Sequence, residues 1–413
     1  MSEWKEKSFE DVCFIDSECL PENTDPYYRF FYVSLSDVEK GKILNTVQNI
    51  SFKDSPSRAR RILHNNDVLM ATVRPNLQGF AILGNETKNM IGSTGFAVLS
   101  EKESNSTEYI YQYLFTDHAT RQINNLVAGS NYPAISSTAV KQLKIKIPKS
   151  PKEQRKIARI LSTVDAMIEK TEAAIAKYKA IKSGMMRDLF TRGIDLKTGK
   201  LRPRYEDAPG LYKESELGCG SSGLTNPVPK EWEVVRIDEI ASMKSGEGIT
   251  SKSIFDYAQY PVYGGNGLRG FATTFTHDGD YILIGRQGAL CGNVNRVASK
   301  FYASEHAVVV SVFAQISVDW LSQLLAVMNL NQYSEASAQP GLAVSKILSL
   351  IVKRPQFSEQ KEIAKHLLSL DSKANIENKI LFKCQQLKAA LMSDLLTGKV
   401  RVKYNENEKV EAM

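Results

Sequence analysis

Two glycine-rich turns in the second half of the chain contain the side chains best suited to chemistry. One turn contains Asn266 and Arg269, and the other contains Arg286 and Gln287. Glycine lets the backbone approach a partner closely, and Arg, Asn and Gln offer paired hydrogen-bonding groups that match the edges of bases in the DNA major groove. The pattern therefore indicates hydrogen bonding to bases, although glycines also mark ordinary turns.

A comparable turn in the first half of the chain contains Arg74, Asn76 and Gln78. Further polar residues lie in stretches that recur in both halves. The complete set of candidate DNA-binding residues is Arg74, Asn76, Gln78, Asn131, Tyr132, Lys244, Asn266, Arg269, Arg286, Gln287 and Gln339.

Catalytic motifs are absent from the sequence. It has no GxxxxGK loop followed by Ser or Thr, although Lys197-Thr198-Gly199-Lys200 resembles its second half. No GxGxxG turn opens a helix, and the sequence lacks a GxSxG elbow and the Pro-Pro-aromatic motif of amino-methyltransferases. The 5 histidines stand apart, and no two cysteines have CxxC spacing. We therefore expect a non-catalytic chain without a metal or cofactor of its own.

Length and composition place the chain among globular proteins. Its 413 residues suffice for two or three domains, and 42% hydrophobic with 24% charged residues excludes a largely disordered chain. The net charge of +7 permits a polyanionic partner without requiring one. No apolar run reaches the roughly 20 residues of a membrane helix, and the N-terminus lacks an apolar signal region. We therefore expect a cytoplasmic protein.

The elements that must position these side chains occur twice. The clearest repeat is Glu-Gln-x-x-Ile-Ala-x-x-Leu-x-x-x-Asp, which starts at Glu153 and again at Glu359. Five other blocks recur in the same order. They begin at Glu3 and Glu231, Asn66 and Gly279, Phe96 and His306, Tyr109 and Trp320, and Ser130 and Ala338. The chain is therefore expected to contain two copies of one β-rich domain followed by a long helix.

Each long helix has an apolar seam with the spacing of a coiled coil. The seam residues expected to bind the partner helix are Ile157, Leu161, Val164, Ile168, Ile175, Ile363, Leu367, Leu370, Leu381 and Leu391. The seam has a polar interruption at Thr171 and Glu377, and the apolar pattern then shifts in phase to Ile181 and Leu387. Each helix should be about 38 residues, or roughly 57 Å, long. The alternative is that each seam packs on its own domain.

These observations predict an α+β fold with two pseudo-repeated mixed α/β domains and two long helices that pack as an antiparallel coiled coil. The expected boundaries are a first domain at 1–150, a first helix at 151–193, a linker at 194–230, a second domain at 231–356, a second helix at 357–400 and a tail at 401–413.

The duplicated helix-start motif and the order domain, helix, domain, helix resemble the specificity subunit of bacterial type I restriction–modification systems. The lead-in Pro229-Lys230-Glu231-Trp232 is also similar to that family, and the resemblance covers essentially the whole chain. Residues 261–267, 285–288 and 303–309 look like one recurring type of target-recognition domain. The first domain matches the family pattern less closely than the second.

The resemblance implies that each domain recognises one half of a split DNA target. The helix pair would set the spacer and dock two modification subunits, which use S-adenosylmethionine to methylate adenine N6. Restriction subunits that use ATP and Mg²⁺ would complete an endonuclease. This chain would have no cofactor of its own, and inserting four residues after Thr191 would lengthen the spacer only.

Two other classes of function remain open on the residues alone. One is a coiled-coil scaffold that binds protein or glycan and not DNA. The other is a nuclease or methyltransferase with unfamiliar motifs.

Overall fold

A computed structural model describes residues 4–39, 41–44, 46–84, 88–129, 133–214, 227–288, 291–334 and 341–404. The chain forms two compact units. The first unit combines Met1–Glu172 with Lys379–Met413, and the second is Ala173–Asn378.

The first unit contains twelve described strands. They are β1 (Trp4–Ser8), β2 (Cys13–Ile15), β3 (Arg29–Val33), β4 (Val38–Glu39), β5 (Lys42–Ile43), β6 (Gln48–Ser51), β7 (Ala59–Leu63), β8 (Val68–Ala71), β9 (Phe80–Ile82), β10 (Met90–Ser93), β11 (Phe96–Glu101) and β12 (Lys144–Pro148). Its helices are α1 (Phe9–Val12), α2 (Thr107–Leu114), α3 (Asp117–Leu126), α4 (Ser137–Gln142) and the first part of the long helix α5 (Pro151–Thr191).

The second unit contains fourteen described strands. Its strands are β13 (Ile194–Asp195), β14 (Lys200–Leu201), β15 (Tyr212–Lys213), β16 (Val228–Pro229), β17 (Glu233–Arg236), β18 (Ala241–Ser245), β19 (Tyr260–Gly264), β20 (Gly267–Ala272), β21 (His277–Asp278), β22 (Tyr281–Gly285), β23 (Val294–Val297), β24 (Lys300–Ala303), β25 (Ala307–Val312) and β26 (Ile351–Arg354). Its helices are α6 (Val318–Val327), α7 (Val344–Leu348) and the first part of the long helix α8 (Phe357–Leu395).

The sheets show the duplication directly. The order β2-β11-β8-β9 in the first unit corresponds to β18-β25-β22-β23 in the second. The order β6-β3-β10-β7 corresponds to β20-β19-β24-β21, with one parallel pair in each sheet, β3 with β10 and β19 with β24. The antiparallel pair β1-β12 corresponds to β17-β26. Only the first unit adds the small β4-β5 hairpin between these elements, within the described residues.

The central strands β8 and β22 consist of consecutive apolar residues because both faces of these strands are buried. Alternate side chains of a strand point to opposite faces of the sheet. Val68 and Met70 pack in one buried cluster, whereas Leu69 and Ala71 pack in another. In the second unit, Ile282 and Ile284 on β22 face one cluster and Leu283 faces the other. The central sheet of each unit is therefore covered on both faces.

The helices of the pair contribute to both cores. In the first unit, Ile157 and Leu161 of α5 and Leu395 of α8 join the cluster beneath the sheet. In the second unit, Ile363 and Leu367 of α8 do the same together with Leu189 of α5. The start of one helix thus packs beside the end of the other in each unit, which is an antiparallel arrangement.

The predicted fold class is confirmed. Each mixed α/β domain is followed by a long helix, and the two long helices pack antiparallel within both units. Among the described helices, none has a stretch long and apolar enough to cross a bilayer.

Candidate nucleic-acid interface and helix junctions

The turn between β8 and β9 contains the candidates Arg74, Asn76 and Gln78. Arg74 and Gln78 both have left-handed backbones, with φ of 49° and 53°, and Pro75 starts a short 3-10 turn between them. The Arg74 N–H donates to the Pro133 carbonyl at 2.7 Å, which ties the turn to the segment before α4. A non-glycine left-handed backbone is uncommon, and two of them hold this turn in one defined shape.

The side chains of this turn differ in exposure. Arg74 and Asn76 are exposed, while Gln78 is half-buried and donates to the Thr120 hydroxyl at 3.4 Å. Asn131 and Tyr132 lie outside the described residues. Their neighbour Pro133 contacts Arg74, so two sequence blocks that are far apart in the chain meet at this turn.

The turn between β22 and β23 is the counterpart in the second unit. The Arg286 N–H donates to the His306 carbonyl at 3.0 Å, and the Leu342 N–H donates to the Arg286 carbonyl at 3.0 Å. The Arg286 side chain donates from Nη1 to the Ser245 hydroxyl at 3.0 Å. Ser245 follows the exposed Lys244 at the end of β18, so Lys244 on β18 and Arg286 directly after β22 belong to one sheet, in which β25 separates these two strands.

A cavity of about 370 Å³ lies beside this turn. Its lining consists of four polar residues and three glycines, which are Asn266, Arg269, Gln287, His306, Gly265, Gly288 and Gly341. Three of the candidates, Asn266, Arg269 and Gln287, therefore come together at one concave surface. Lys244 and Arg286 do not line the cavity. Gln339 lies outside the described residues, although Gly341 close to it lines the cavity.

The side chain of Arg269 packs along the backbone at Gly264. A Cβ on Gly264 would collide with its Cδ, so glycine is needed for this approach. The guanidinium forms no hydrogen bond or ion pair with any residue that the structure describes.

The seam of the long helices is only partly as predicted. Ile157, Leu161, Val164 and Ile175 are buried on α5, and Ile168 is half-buried. On α8, Ile363, Leu367 and Leu370 are buried, whereas Leu381 and Leu391 are half-buried. These residues keep the expected coiled-coil spacing in both units.

The predicted phase shift of the seam is wrong. Ile181 and Leu387, to which the apolar pattern shifts, are 40% and 47% exposed. The uninterrupted alternation of three and four residues instead passes through Lys182 and Lys388. Lys182 pairs with Asp371 at 2.6 Å in the second unit, and Lys388 pairs with Asp165 at 2.5 Å in the first. The seam therefore continues in one phase with a lysine in it.

The Asp of the repeated motif accepts this lysine and also binds its own domain. Gln112 of α2 donates to Asp165 Oδ2 at 2.8 Å, and Gln323 of α6 donates to Asp371 Oδ2 at 3.2 Å. Each carboxylate thus joins a mixed α/β domain to both long helices.

The Gln of the motif fixes the start of each helix on its domain. In the first unit, Gln154 accepts the Ser106 N–H at 2.9 Å and donates to the Pro148 carbonyl at 2.9 Å. In the second, Gln360 accepts the Ser317 N–H at 2.8 Å and donates to the Pro355 carbonyl at 2.9 Å. Because both amides are buried, these bonds satisfy backbone groups that water cannot reach.

The Glu of the motif binds an arginine that follows the end of the other helix. We call this pairing a helix clasp. In the first clasp, Arg401 donates from Nε and Nη2 to the two oxygens of Glu153 at 2.7 and 2.8 Å. In the second, Arg202 binds both oxygens of Glu359, with Nη2 to Oε2 at 3.0 Å. Both carboxylates are almost fully buried.

Two further groups donate to the carboxylate of the second clasp. The Trp232 Nε1–H donates to Glu359 at 3.0 Å, and the Ile194 N–H donates to it at 2.9 Å. Burial alone would lower the pKa of Arg202, but the hydrogen bonds to Glu359 and Glu231 raise it instead. In the first clasp, the hydrogen bond to Glu153 raises the pKa of Arg401.

Sequence reasoning missed the clasp arginines, His306 and Ser245. The arginines had a signal, because Thr198-Gly199-Lys200-Leu201-Arg202 is repeated as Thr397-Gly398-Lys399-Val400-Arg401. The apparent fragment of a phosphate loop at Lys197 belongs to this repeat. The other two residues had none, since their roles depend on contacts across strands.

The chain matches the family described as "Type I restriction modification DNA specificity domain" over residues 1–177 and 229–386. The chain belongs to this family. It is a specificity subunit, itself non-catalytic, that recognises a DNA target and takes part in complex assembly. Among the described residues, no three His, Cys, Asp or Glu side chains lie close enough together to hold a metal ion.

The relatives that it resembles are named as specificity subunits. It is 48% identical over 143 residues to the "Type I restriction enzyme EcoprrI specificity subunit" of Escherichia coli, a match that spans 34% of this chain and 36% of that protein. It is 25% identical over 380 residues to the MjaVIII specificity subunit of Methanocaldococcus jannaschii, covering 83% of this chain and 81% of that one. The crystal structure of the type I S subunit from M. genitalium has the same fold, with a TM-score of 0.67, 16% identity and 96% coverage of both chains.

Proposed function

We propose that this specificity subunit recognises a bipartite DNA target, with one recognition domain for each half and the helix pair as the spacer. The observation that carries this proposal is the duplication of the whole domain, including the turns at Arg74 and Arg286. Two equivalent reading surfaces on one chain suit a target in two halves, as in dimeric DNA-binding proteins.

The long helices suit the role of a spacer because each one runs through both units. Helix α5 passes from the first unit to the second after Glu172, and α8 passes back after Asn378. The clasps and the Lys–Asp pairs fix both ends of each helix. The distance between the domains then depends on helix length at 1.5 Å per residue.

Matched insertions test this role. Four residues added after Glu172 and four after Asn378 lengthen both helices by about 6 Å, which corresponds to about two base pairs of ~3.4 Å. Insertion after Thr191 is less suitable, because the second clasp follows that helix end. We expect the methylated genomic target to gain one or two spacer base pairs with both half-sites unchanged.

A single insertion is the matched control. Four residues in α5 alone move one of the Lys–Asp pairs out of register with α8, so this variant should assemble poorly. A double-insertion variant with new half-site bases and an unchanged spacer contradicts the proposal.

The partners of the complex are part of the same proposal. Two modification subunits, which bind S-adenosylmethionine and methylate adenine N6, dock on the helix pair, and restriction subunits supply ATP- and Mg²⁺-dependent cleavage in the cytoplasm. Exposed apolar side chains on the second half of α8 support docking there. Ile380, Phe382 and Leu387 are 39%, 60% and 47% exposed. Replacing Leu387 with Asp should weaken co-purification of the modification subunit without changing the bases recognised.

A further inference from the structure

We propose that the cavity of the second recognition domain recognises a guanine, through N–H donors of Arg269 and Gln287, with His306 as the residue that positions Gln287. This inference rests on the proposed function and names the base that one of its two reading surfaces selects.

Arg269 supplies the first donors. Arg269 lines the cavity, and its guanidinium has no polar partner among the described residues, while Gly264 lets the Arg269 stem approach the backbone closely. A guanidinium carries only donors, in a planar fork. The base edge that offers two adjacent acceptors in the major groove is guanine, through N7 and O6.

Gln287 supplies the second donor group. Its backbone is paired with Gly341 across the cavity, and its side-chain Oε1 lies 3.1 Å from His306 Nδ1. A free glutamine side chain can present either its donor or its acceptor. Because Oε1 is occupied by the ring, the N–H₂ group is the one left for a ligand in the cavity.

His306 is held in place on both sides. Its Nε2 lies 3.1 Å from Glu305 Oε1, and the other oxygen of Glu305 accepts the Ile249 N–H at 3.3 Å. The His306 carbonyl also accepts the Arg286 N–H. An oxygen atom lies 3.1 Å from each ring nitrogen, Gln287 Oε1 at Nδ1 and Glu305 Oε1 at Nε2. The chain of contacts through Ile249, Glu305 and His306 thus orients the Gln287 amide with its N–H₂ group toward the cavity.

The test uses the full-length chain in complex with its cognate modification subunits and duplexes selected from a randomised pool. We expect the half-site assigned to the second domain to contain an invariant guanine. Replacing that guanine with 7-deazaguanine removes the N7 acceptor and should weaken binding about tenfold. Arg269→Ala should lose about 10- to 100-fold of the preference for guanine and become insensitive to 7-deazaguanine.

The positioning role has its own readout. His306→Phe should relax the base preference next to the guanine while leaving thermal stability unchanged. His306→Asn should keep the wild-type base preference, because the Asn amide can also donate to Gln287. The wild-type Gln287 should prefer a base that accepts a hydrogen bond. Gln287→Glu should instead prefer cytosine, whose N4 amino group donates one. Arg236→Ala removes an exposed positive charge of the same unit, away from the cavity, and should leave the selected sequence unchanged.

Several results overturn the inference. These are a second half-site without guanine, a 7-deazaguanine effect that persists in Arg269→Ala, or a His306→Phe variant with wild-type base preference. They differ from a failure of the proposed function, in which wild-type chain selects no bipartite target or Arg269→Ala alters both half-sites.

Discussion

Arg401 and Glu153 are 248 residues apart in the chain, yet the guanidinium binds both oxygens of the carboxylate at 2.7 and 2.8 Å. Arg202 and Glu359 make the equivalent clasp in the second unit. Each clasp joins the segment after one long helix to the first turn of the other. The clasps therefore hold the antiparallel pairing at both helix starts, beside the buried seam residues Ile157 and Ile363.

Arg202→Met should destabilise the second unit by about 3–5 kcal/mol, because Glu359 keeps a buried charge without its cation. Arg401→Met should cost less, about 1–3 kcal/mol, since the Arg401 side chain is 41% exposed and water can replace it in part. Urea unfolding followed by tryptophan fluorescence measures both. Because Trp232 and Trp320 belong to the second unit and Trp4 to the first, a Trp4→Phe background separates the two transitions.

Lys200→Met is the control for the first of these variants. It removes an exposed cation two residues before Arg202 and should change the unfolding free energy by less than about 0.5 kcal/mol. An equal effect of Lys200→Met and Arg202→Met would show that lost charge alone, without the clasp, explains the result.

The lysines in the seam should set the register of the helix pair. Lys182→Glu places a second negative charge beside Asp371 and should destabilise the second unit by about 1 kcal/mol, a modest value because both side chains are partly exposed. The exchange Lys182→Asp with Asp371→Lys should recover most of this loss. A double-mutant cycle that gives no coupling energy would show that the Lys182–Asp371 pair does not set the register of the two helices.

The sequence allowed prediction of the repeat, the helix starts and the fold class, because these depend on local patterns. It did not reveal the function of Glu153 and Gln154 in the motif, since their partners lie far along the chain. The seam shows the limit of apolarity as a signal. Ile181 and Leu387 are apolar and exposed, whereas Lys182 and Lys388 lie in the seam because Asp371 and Asp165 neutralise them.

The sequence allowed prediction of the turns that form the candidate interface, but not of how these turns are arranged in space. Glycine-flanked Arg269 and Gln287 were found from residue types. That they share a cavity with His306 depends on the pairing of β22 with β25 and on the parallel pair of β19 with β24, which no local pattern specifies.

Asn76→Ala should change the half-site of the first domain only. Asn76 is exposed in a turn whose backbone is fixed by the left-handed Arg74 and Gln78, so truncation should not disturb the fold. Loss of one amide contact to a base should reduce discrimination at one base pair about tenfold. Methylome sequencing gives the result, with Gln48→Ala, an exposed amide on β6, as the control. If base discrimination were lost in the second half-site instead, the assignment of Asn76 to recognition of the first half-site would be wrong.

Lys353 should make the stability of the second unit depend on pH. It is buried on β26 with its Nζ 3.3 Å from the Pro227 carbonyl, and burial lowers its pKa to about 8 from the usual 10.5. Between these two values the unfolded chain binds the proton more strongly than the folded chain. Stability should therefore rise as the pH increases from about 8 to 10.5, and below that range the cost of the buried charge is fully present.

Lys353→Met should remove this cost and stabilise the second unit at pH 7 by about 1–3 kcal/mol, since an apolar side chain of similar length fills the same space. Its unfolding free energy should also lose the rise between pH 8 and 10.5 that the wild type shows. Lys365→Met, at a lysine whose side chain is 72% exposed, should change neither quantity. Urea titrations at pH 7, 8.5 and 10 distinguish these outcomes, and a Lys353→Met variant less stable than wild type at pH 7 would show that the ammonium group is a net stabilising contact.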